Sequence, residues 1–460
     1  MSKVFRPYEP DQILLLPPSL HEWLPEGHLV YFLRDVLDAI DLHPITDVYE
    51  QSEQGYPPYH PKMLIGVIVY GYSQGVFSSR KLARHCIESI PFRVLAANNT
   101  PDFRTISDFR KRHLAALEHL FLEILRLCRE SGLVKFGHIA IDGTKVKANA
   151  SKHKAMSYGR MKEDIVRLEK EIAQLMDQAE RADSEDDQRY GRGNRGDELP
   201  VELALRQSRL AKIKSAKAAL EDQARKDRDI QPQPPEDPPT LPQASIKTET
   251  EPQSGAIVPI ATAQRNFTDP ESRIMPAPGK TFIQGYNPQV AVDSAHQVIV
   301  ATYVTNCPND QLTGPYLITQ LPQPPTVATV DAGYPVQTNL PYFEKRDIDA
   351  YIAVARTHHH RSITETIPRG RIPKHLSVKD RMVRKLKTKK GKKIYALRKT
   401  IVEPVFGQIK QVMGFRQFSL RGQFKVQAEW FLVTAAHNLR KLFVACSKHP
   451  KRKLAWDVSG

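Results

Sequence analysis

Three carboxylates, far apart in the chain, have the type and setting for metal chemistry. Asp142 ends the β-branched run His138-Ile139-Ala140-Ile141-Asp142-Gly143, and Asp331 ends another in Val330-Asp331-Ala332-Gly333-Tyr334. Glu403 stands where a helix is predicted to begin, in Val402-Glu403-Pro404-Val405-Phe406-Gly407-Gln408-Ile409-Lys410. Two strand ends and a helix start can bring three distant acids to one sheet edge. Hard divalent cations prefer oxygen ligands, and a pair of them activates an attacking oxygen and stabilises the leaving one at a phosphodiester. Each acid alone has a plainer reading, because Asp-Gly and Asp-Ala-Gly are ordinary turns and a glutamate at a helix start complements the dipole. Competing acids are Asp293, Asp310 and Glu429, read more simply as a strand-end turn, a loop or helix cap, and a helix-surface charge. Beside Glu403, residues 369–399 hold fourteen Lys or Arg against one acid, Asp380. Such a tract calls for a polyanion.

Residues 1–132 read as an all-helical module with loops at Pro17-Pro18, Gly55-Tyr56-Pro57-Pro58 and Asn98-Asn99-Thr100-Pro101. Its last helix is predicted to start near Thr105 or Ser107 and to run through Phe109, Leu114, Leu117, Leu120, Ile124 and Leu127 to Gly132. Arg104, Arg110, Lys111, Arg112 and His113 crowd its first turns, and Arg104, Arg110 and Lys111 are candidates for DNA contact. Strands follow at 138–147, 285–293, 297–304, 326–330 and 349–354, with helices near 312–321, 336–345 and 395–413. The first three strands can pair antiparallel, whereas the last two are reached through helices, as parallel crossovers require. The expectation is a five-stranded mixed sheet flanked by helices.

An insertion occupies residues 152–276. Ile165, Leu168, Ile172 and Leu175, then Leu203, Leu210, Ile213, Lys217 and Leu220, follow heptad spacing on either side of an acidic, glycine-rich segment. They predict an antiparallel hairpin with a disordered tip; a dimer seam is the alternative. From Ile230 to about Pro252 the prolines predict an extended linker. The chain divides as 1–132, then 133–151 with 277–446, with 447–460 as a basic tail.

The formal net charge of +16 points to phosphate-rich partners. Cys86, Cys128, Cys307 and Cys446 form no Cys-x-x-Cys pair, so reduced thiols in a cytoplasmic protein are expected rather than a zinc knuckle or disulfide framework. The N-terminus lacks a signal-peptide core, and the longest apolar run, 63–70, is too short to span a bilayer. Neither export nor membrane insertion is expected.

Along almost its full length the chain resembles the DDE transposases of bacterial insertion sequences. The resemblance rests on Ile141-Asp142-Gly143-Thr144, Gln284-Gly285-Tyr286-Asn287, Val330-Asp331-Ala332-Gly333-Tyr334 and the segment from Val402 to Lys410. Arg416-Gln417-Phe418-Ser419-Leu420-Arg421-Gly422 and Ala436-His437-Asn438-Leu439 look like that family's C-terminal tail. Pro101-Asp102-Phe103-Arg104-Thr105-Ile106-Ser107-Asp108-Phe109-Arg110 looks like its helical end-binding domain. The resemblance implies a ribonuclease-H-like core in which Asp142, Asp331 and Glu403 bind two magnesium ions, with manganese as a substitute. It further implies cleavage at element ends by water, then attack of the freed 3′-hydroxyl on target DNA. Double-stranded DNA, as terminal inverted repeats and as target, is the implied partner, a homo-oligomer the implied active form, and the nucleoid the implied location. Many relatives carry a tyrosine and an arginine before the glutamate and a lysine after it; Tyr395, Arg398 and Lys410 match. Arg398 lies five before Glu403 where the common signature has four, and Lys399 fills the strict position. Arg416 and Arg421, in the tail motif, join the DNA-contact set. Lys410, two helical turns past Glu403, shares its face and can touch a phosphate.

Other motifs carry less. Gly71-Tyr72-Ser73-Gln74-Gly75 matches a nucleophile elbow, but its module reads helical and no oxyanion loop appears. His358-His359-His360 point three ways without a partner at ligand spacing. No P-loop or dinucleotide fingerprint is present. A helix-turn-helix DNA binder that does not cut, or a nuclease that does not join strands, is the competing reading.

Overall fold

The computed structural model describes residues 19–50, 58–190, 201–229, 245–251, 257–277, 279, 281–308, 310, 313–354, 368, 370, 373 and 376–448. Pro17-Pro18, the hairpin tip, the proline-rich stretch, the histidine triplet and nearly all of the basic tail lie outside the described residues.

A mixed sheet is built on β1 (His138–Gly143), β2 (Thr281–Asp293), β3 (Ile299–Thr305), β4 (Val327–Val330) and β5 (Asp349–Ile352), in the order β5-β4-β1-β2-β3. β1, β4 and β5 run parallel, and β2 is antiparallel to both of its neighbours. Ile139, Ala140 and Ile141 are fully buried, which is why a continuous apolar run takes the central place of a sheet covered on both faces. Helices Thr313–Thr319 and Val336–Glu344 make the two crossovers. The first half of β2 extends beyond β1 and pairs with two further short strands, Val146–Lys147 and Arg273–Ala277, so the sheet has seven strands where five were expected.

The expected long helix ending the N-terminal module is two helices. α1 (Pro61–Ser73) is followed after a helical stretch by α2 (Phe103–Arg112), and then by α3 (Ala116–Glu130). α2 begins ahead of Thr105, because the Asp102 carboxylate accepts the Arg104 amide at 2.8 Å. It ends at His113, whose buried ring stacks near Phe109 and lies 3.0 Å from the Tyr49 hydroxyl. Ser73 is buried inside α1 and its hydroxyl donates to the Tyr70 carbonyl at 2.7 Å, so no nucleophile elbow forms.

In the insertion, α4 (Tyr158–Tyr190) and α5 (Val201–Asp229) pack against each other around Tyr158, Met161, Leu168, Ile213 and Leu220. Lys214–Glu169 at 2.7 Å and Arg206–Glu171 at 3.0 Å cross the seam, so the heptad residues are spent on an antiparallel hairpin. The polar stretch after the prolines is not all linker: Thr248–Thr250 pairs with Ile257–Pro259, and Ile246 and Val258 pack on the hairpin's core.

The basic tract forms a helix at Val378–Lys387 and then α6 (Lys389–Gly407). A last helix, α7 (Gln423–Lys448), enters the sequence-based expectation only through the reading of Glu429 as a helix-surface charge, with no bounds and no burial foreseen. Trp430, Val433, Ala436 and Leu439 are completely buried, for α7 is enclosed between β3 on one side and α1 and α3 on the other. Its Asn438 side chain brackets Ile299, accepting from the amide at 2.9 Å and donating to the carbonyl at 2.8 Å. The N-terminal helices therefore share one continuous core with the sheet instead of standing apart from it.

Candidate active site

β1 and β4 lie side by side with Ile141 opposite Val330, so Asp142, still paired with Val290 of β2, and Asp331, just past the end of β4, come to neighbouring points. α6 crosses these strands. It is capped by the Thr388 hydroxyl, which accepts the Gly391 amide at 3.0 Å, and it buries Arg398, Ile401, Val402 and Val405 along one face. Pro404 lies within the helix and cannot bond the Thr400 carbonyl; the Gln297 side-chain amide takes that carbonyl instead, at 2.9 Å. The chain then widens into a π-helical turn, Gln408–Val412, of the kind often found at functional sites.

Arg398 is the hinge of the arrangement. One guanidinium nitrogen is 2.6 Å from Asp142 Oδ2 and the other 3.4 Å from Asp331 Oδ1. Both carboxylates therefore converge within the width of one guanidinium, and its Nε is buried without a hydrogen-bond partner among the described residues. The Tyr395 ring lies 5.8 Å from the guanidinium carbon. Asp142 Oδ1 accepts the Gly143 amide at 2.8 Å. Burial pushes the Asp142 carboxyl up to about 6, against the Arg398 charge that lowers it, while the Asp331 charge adds to the rise. For Arg398 burial favours loss of the proton, but Asp142, Tyr395 and Asp331 together outweigh it and hold the guanidinium above its usual range.

Glu403 lies near the end of α6 rather than at a helix start, and it is exposed. Among the described residues no group of three or more His, Cys, Asp or Glu is arranged to hold a metal ion. The donor chemistry of Asp142 and Asp331 fits a hard divalent cation, since the point they share already holds positive charge; Glu403 is not gathered to it.

Lys410 reaches inward from the π turn and donates to the Lys145 carbonyl at 3.0 Å, with burial and the nearby Arg416 and Lys145 charges lowering its pKa. Arg104 and Lys111 are exposed on α2, Lys111 pairing with Asp108 at 3.0 Å. Arg416 and Arg421 are exposed beside the start of α7, with Arg421 donating to the Asn149 carbonyl at 2.9 Å. Arg110 must be withdrawn from the DNA-contact set. Its guanidinium is buried and donates to the Tyr72 hydroxyl at 3.0 Å, the Phe77 carbonyl at 2.9 Å and the Ser79 hydroxyl at 2.6 Å, which leaves no face for a phosphate. Part of the basic tract is also spent internally: Lys385 and Lys390 pair with Asp349, at 2.6 and 3.3 Å, and Arg381 with Glu344 at 3.5 Å.

Two acids given plain readings prove to organise the site. Glu429 is no surface charge: fully buried, it accepts the Ser419 amide at 2.9 Å and the Leu420 amide at 3.0 Å, fixing the loop that carries Arg416 and Arg421. Asp310 accepts from the side-chain amides of Asn287 and Gln289, both at 2.6 Å. Gln289 accepts in turn from the Tyr334 hydroxyl. A Cβ on Gly333 would come within 2.6 Å of Asp310 Oδ2, and one on Gly143 within 2.0 Å of Gln289 Nε2, so a side chain at either position would push Asp310 or Gln289 out of this hydrogen-bond set. The signal for this cluster was present as Gln284-Gly285-Tyr286-Asn287 and Asp310, but spacing alone does not join them.

Two protein families match the chain: a transposase domain (DUF772) over residues 18–112 and a transposase DDE domain over residues 256–439. The second match spans Asp331 and Glu403 and begins after Asp142. No curated protein and no solved structure matches. Both matches are transposase domains and, with the helical region and the mixed sheet in this order, they support a DDE transposase of insertion sequences. No helix among the described residues is long and apolar enough to cross a membrane.

Proposed function

We propose that the protein cuts double-stranded DNA at the ends of its element and joins the freed 3′ ends to target DNA, from a ribonuclease-H-like core. The observation that carries this reading is the convergence of Asp142 and Asp331, from adjacent parallel strand ends, on the single guanidinium of Arg398. Asp142 and Asp331 would hold a divalent cation, magnesium or manganese, and Glu403 would join them once α6 and the sheet edge close on DNA. When bound, such cations supply activation of the attacking oxygen and stabilisation of the leaving one.

The chain's own groups supply the rest. A scissile phosphate brought beside Arg398 would compete with its carboxylate partners for the guanidinium, a charge-assisted and geometrically matched contact. Lys410, held against the turn after β1, extends the same positive surface. Arg104, Lys111, Arg416 and Arg421 contribute contacts that position the duplex without reading its bases. Tyr395 backs the guanidinium with its ring. A homo-oligomer holding two ends fits the chemistry of joining.

A second reading has one observation in its favour. The exposed Glu403, outside any three-acid group, is what a DNA-binding relative that has lost cleavage would also display. Incubating the full chain with duplexes carrying the flanking sequence, with and without magnesium, separates the two. Metal-dependent cuts at the element end followed by joined products support the proposal. Tight end binding with no cut supports the second reading, and cuts without joining support a nuclease.

A further inference from the structure

Lys145 lies outside both the acidic set and the basic tract, in the turn between β1 and the short strand Val146–Lys147. Its backbone is held on three sides. The preceding Thr144 amide donates to the Pro288 carbonyl at 2.8 Å, its own carbonyl accepts Lys410 Nζ at 3.0 Å, and the following Val146 pairs with Tyr286. The ammonium is 3.6 Å from Asp310 Oδ1, with 21% of the side chain exposed. That separation is an ion pair rather than a direct hydrogen bond, so its N–H donors stay available. Asp310 does not need Lys145 for its own satisfaction, since two amides already donate to the same oxygen at 2.6 Å.

A lysine kept mostly buried three residues after Asp142, beside a carboxylate oxygen that already accepts two amides, has the setting of a ligand for a phosphoryl oxygen. We infer that Lys145 contacts the scissile phosphodiester and that Asp310 is the positioning residue that aims it. The inference rests on the transposase reading. In end cleavage the water oxygen bonds to phosphorus as the bond from phosphorus to the 3′ oxygen breaks. The attacking water gives up a proton to solvent, and the 3′ oxygen leaves with the electron pair and takes one from solvent. Lys145 contributes charge to the phosphoryl oxygens and transfers no proton.

The test compares full-length wild type with Lys145→Ala, Lys145→Arg, Asp310→Asn and the Lys145→Ala/Asp310→Asn double variant on duplex bearing the flanking sequence. End affinity, single-turnover cleavage in magnesium and the thermal midpoint are measured for each. Lys145→Ala should slow cleavage about 100-fold, the usual scale for losing one preorganised donor, with end affinity within about 3-fold and the midpoint unmoved. Lys145→Arg should recover part of the rate. Asp310→Asn keeps acceptor capacity without charge and should cost about 10-fold in rate, adding nothing in the double variant. Wild-type cleavage by Lys145→Ala, or a rate loss that only follows lost affinity or folding, overturns the inference about Lys145. Additive losses with a lowered midpoint reduce Asp310 to a structural role and overturn its part. If the wild type itself leaves the flanking DNA uncut, the transposase reading fails and this inference with it.

Discussion

Replacing Arg398 with glutamine isolates the electrostatics that hold the candidate site together. In the native protein the guanidinium neutralises Asp142 at 2.6 Å and Asp331 at 3.4 Å, yet burial still leaves the Asp142 carboxyl at about 6 against an ordinary 3.8. The folded state thus binds more protons than the unfolded state between those values, and stability falls as pH rises through the window. At about 1.36 kcal/mol per unit, the ionised Asp142 costs the fold about 3 kcal/mol above pH 6. Without Arg398 the carboxyl stays protonated to still higher pH, so the decline continues. Near pH 8 the variant should be about 2 to 3 kcal/mol less stable than wild type, whereas near pH 5, where both hold the proton, the difference should almost vanish. Urea unfolding in metal-free buffer at the two pH values measures this directly. An equal loss at both would mean that Arg398 acts through packing alone, and no loss at either would refute the ion-pair account.

Arg104 and Arg110 sit on one helix but should behave in opposite ways. Arg104→Ala should leave stability unchanged, weaken binding to all duplexes and reduce the salt slope of binding by about 1, as for a phosphate contact. Arg110→Ala should lower stability by about 1 to 3 kcal/mol, by stranding its buried partners, with no change in the salt slope once folding is allowed for. Lys410→Ala should weaken end binding measured by fluorescence anisotropy; unchanged affinity together with unchanged cleavage would remove Lys410 from the site.

Much of the sheet was legible in the sequence because its strands are rich in β-branched residues, with acids closing the first and fourth runs, and because the crossover rule leaves few topologies. His138–Gly143 and Val327–Val330 carry Asp142 and Asp331 to one edge for that reason. What misled was local. Pro404 after Glu403 imitates a helix start, since proline favours the first helical turn, and the lysine run before it has no apolar period to mark the true beginning at Thr388. Arg110 shares its helix with exposed cations, and only the approach of Tyr72, Phe77 and Ser79 from other segments buries it. α7 is apolar nearly all round and has no single stripe to read, while Glu429 within it is explained only by amides that arrive from the Ser419 loop. Asp310 meets Asn287, Gln289 and Lys145 through tertiary contacts that no spacing encodes.

We propose that Asp142, Asp331 and Glu403 act together on DNA, although the structure gathers only the first two. Strand transfer answers it most directly: wild type, Asp142→Ala, Asp331→Ala and Glu403→Ala are each given the flanking duplex, a target plasmid and magnesium, with end binding measured in parallel. The account predicts joined products from wild type alone, lost when magnesium is withdrawn, and end binding retained by all three variants. A variant that still cuts and joins would take its residue out of the site, and joining by Asp142→Ala or Asp331→Ala would contradict the account itself.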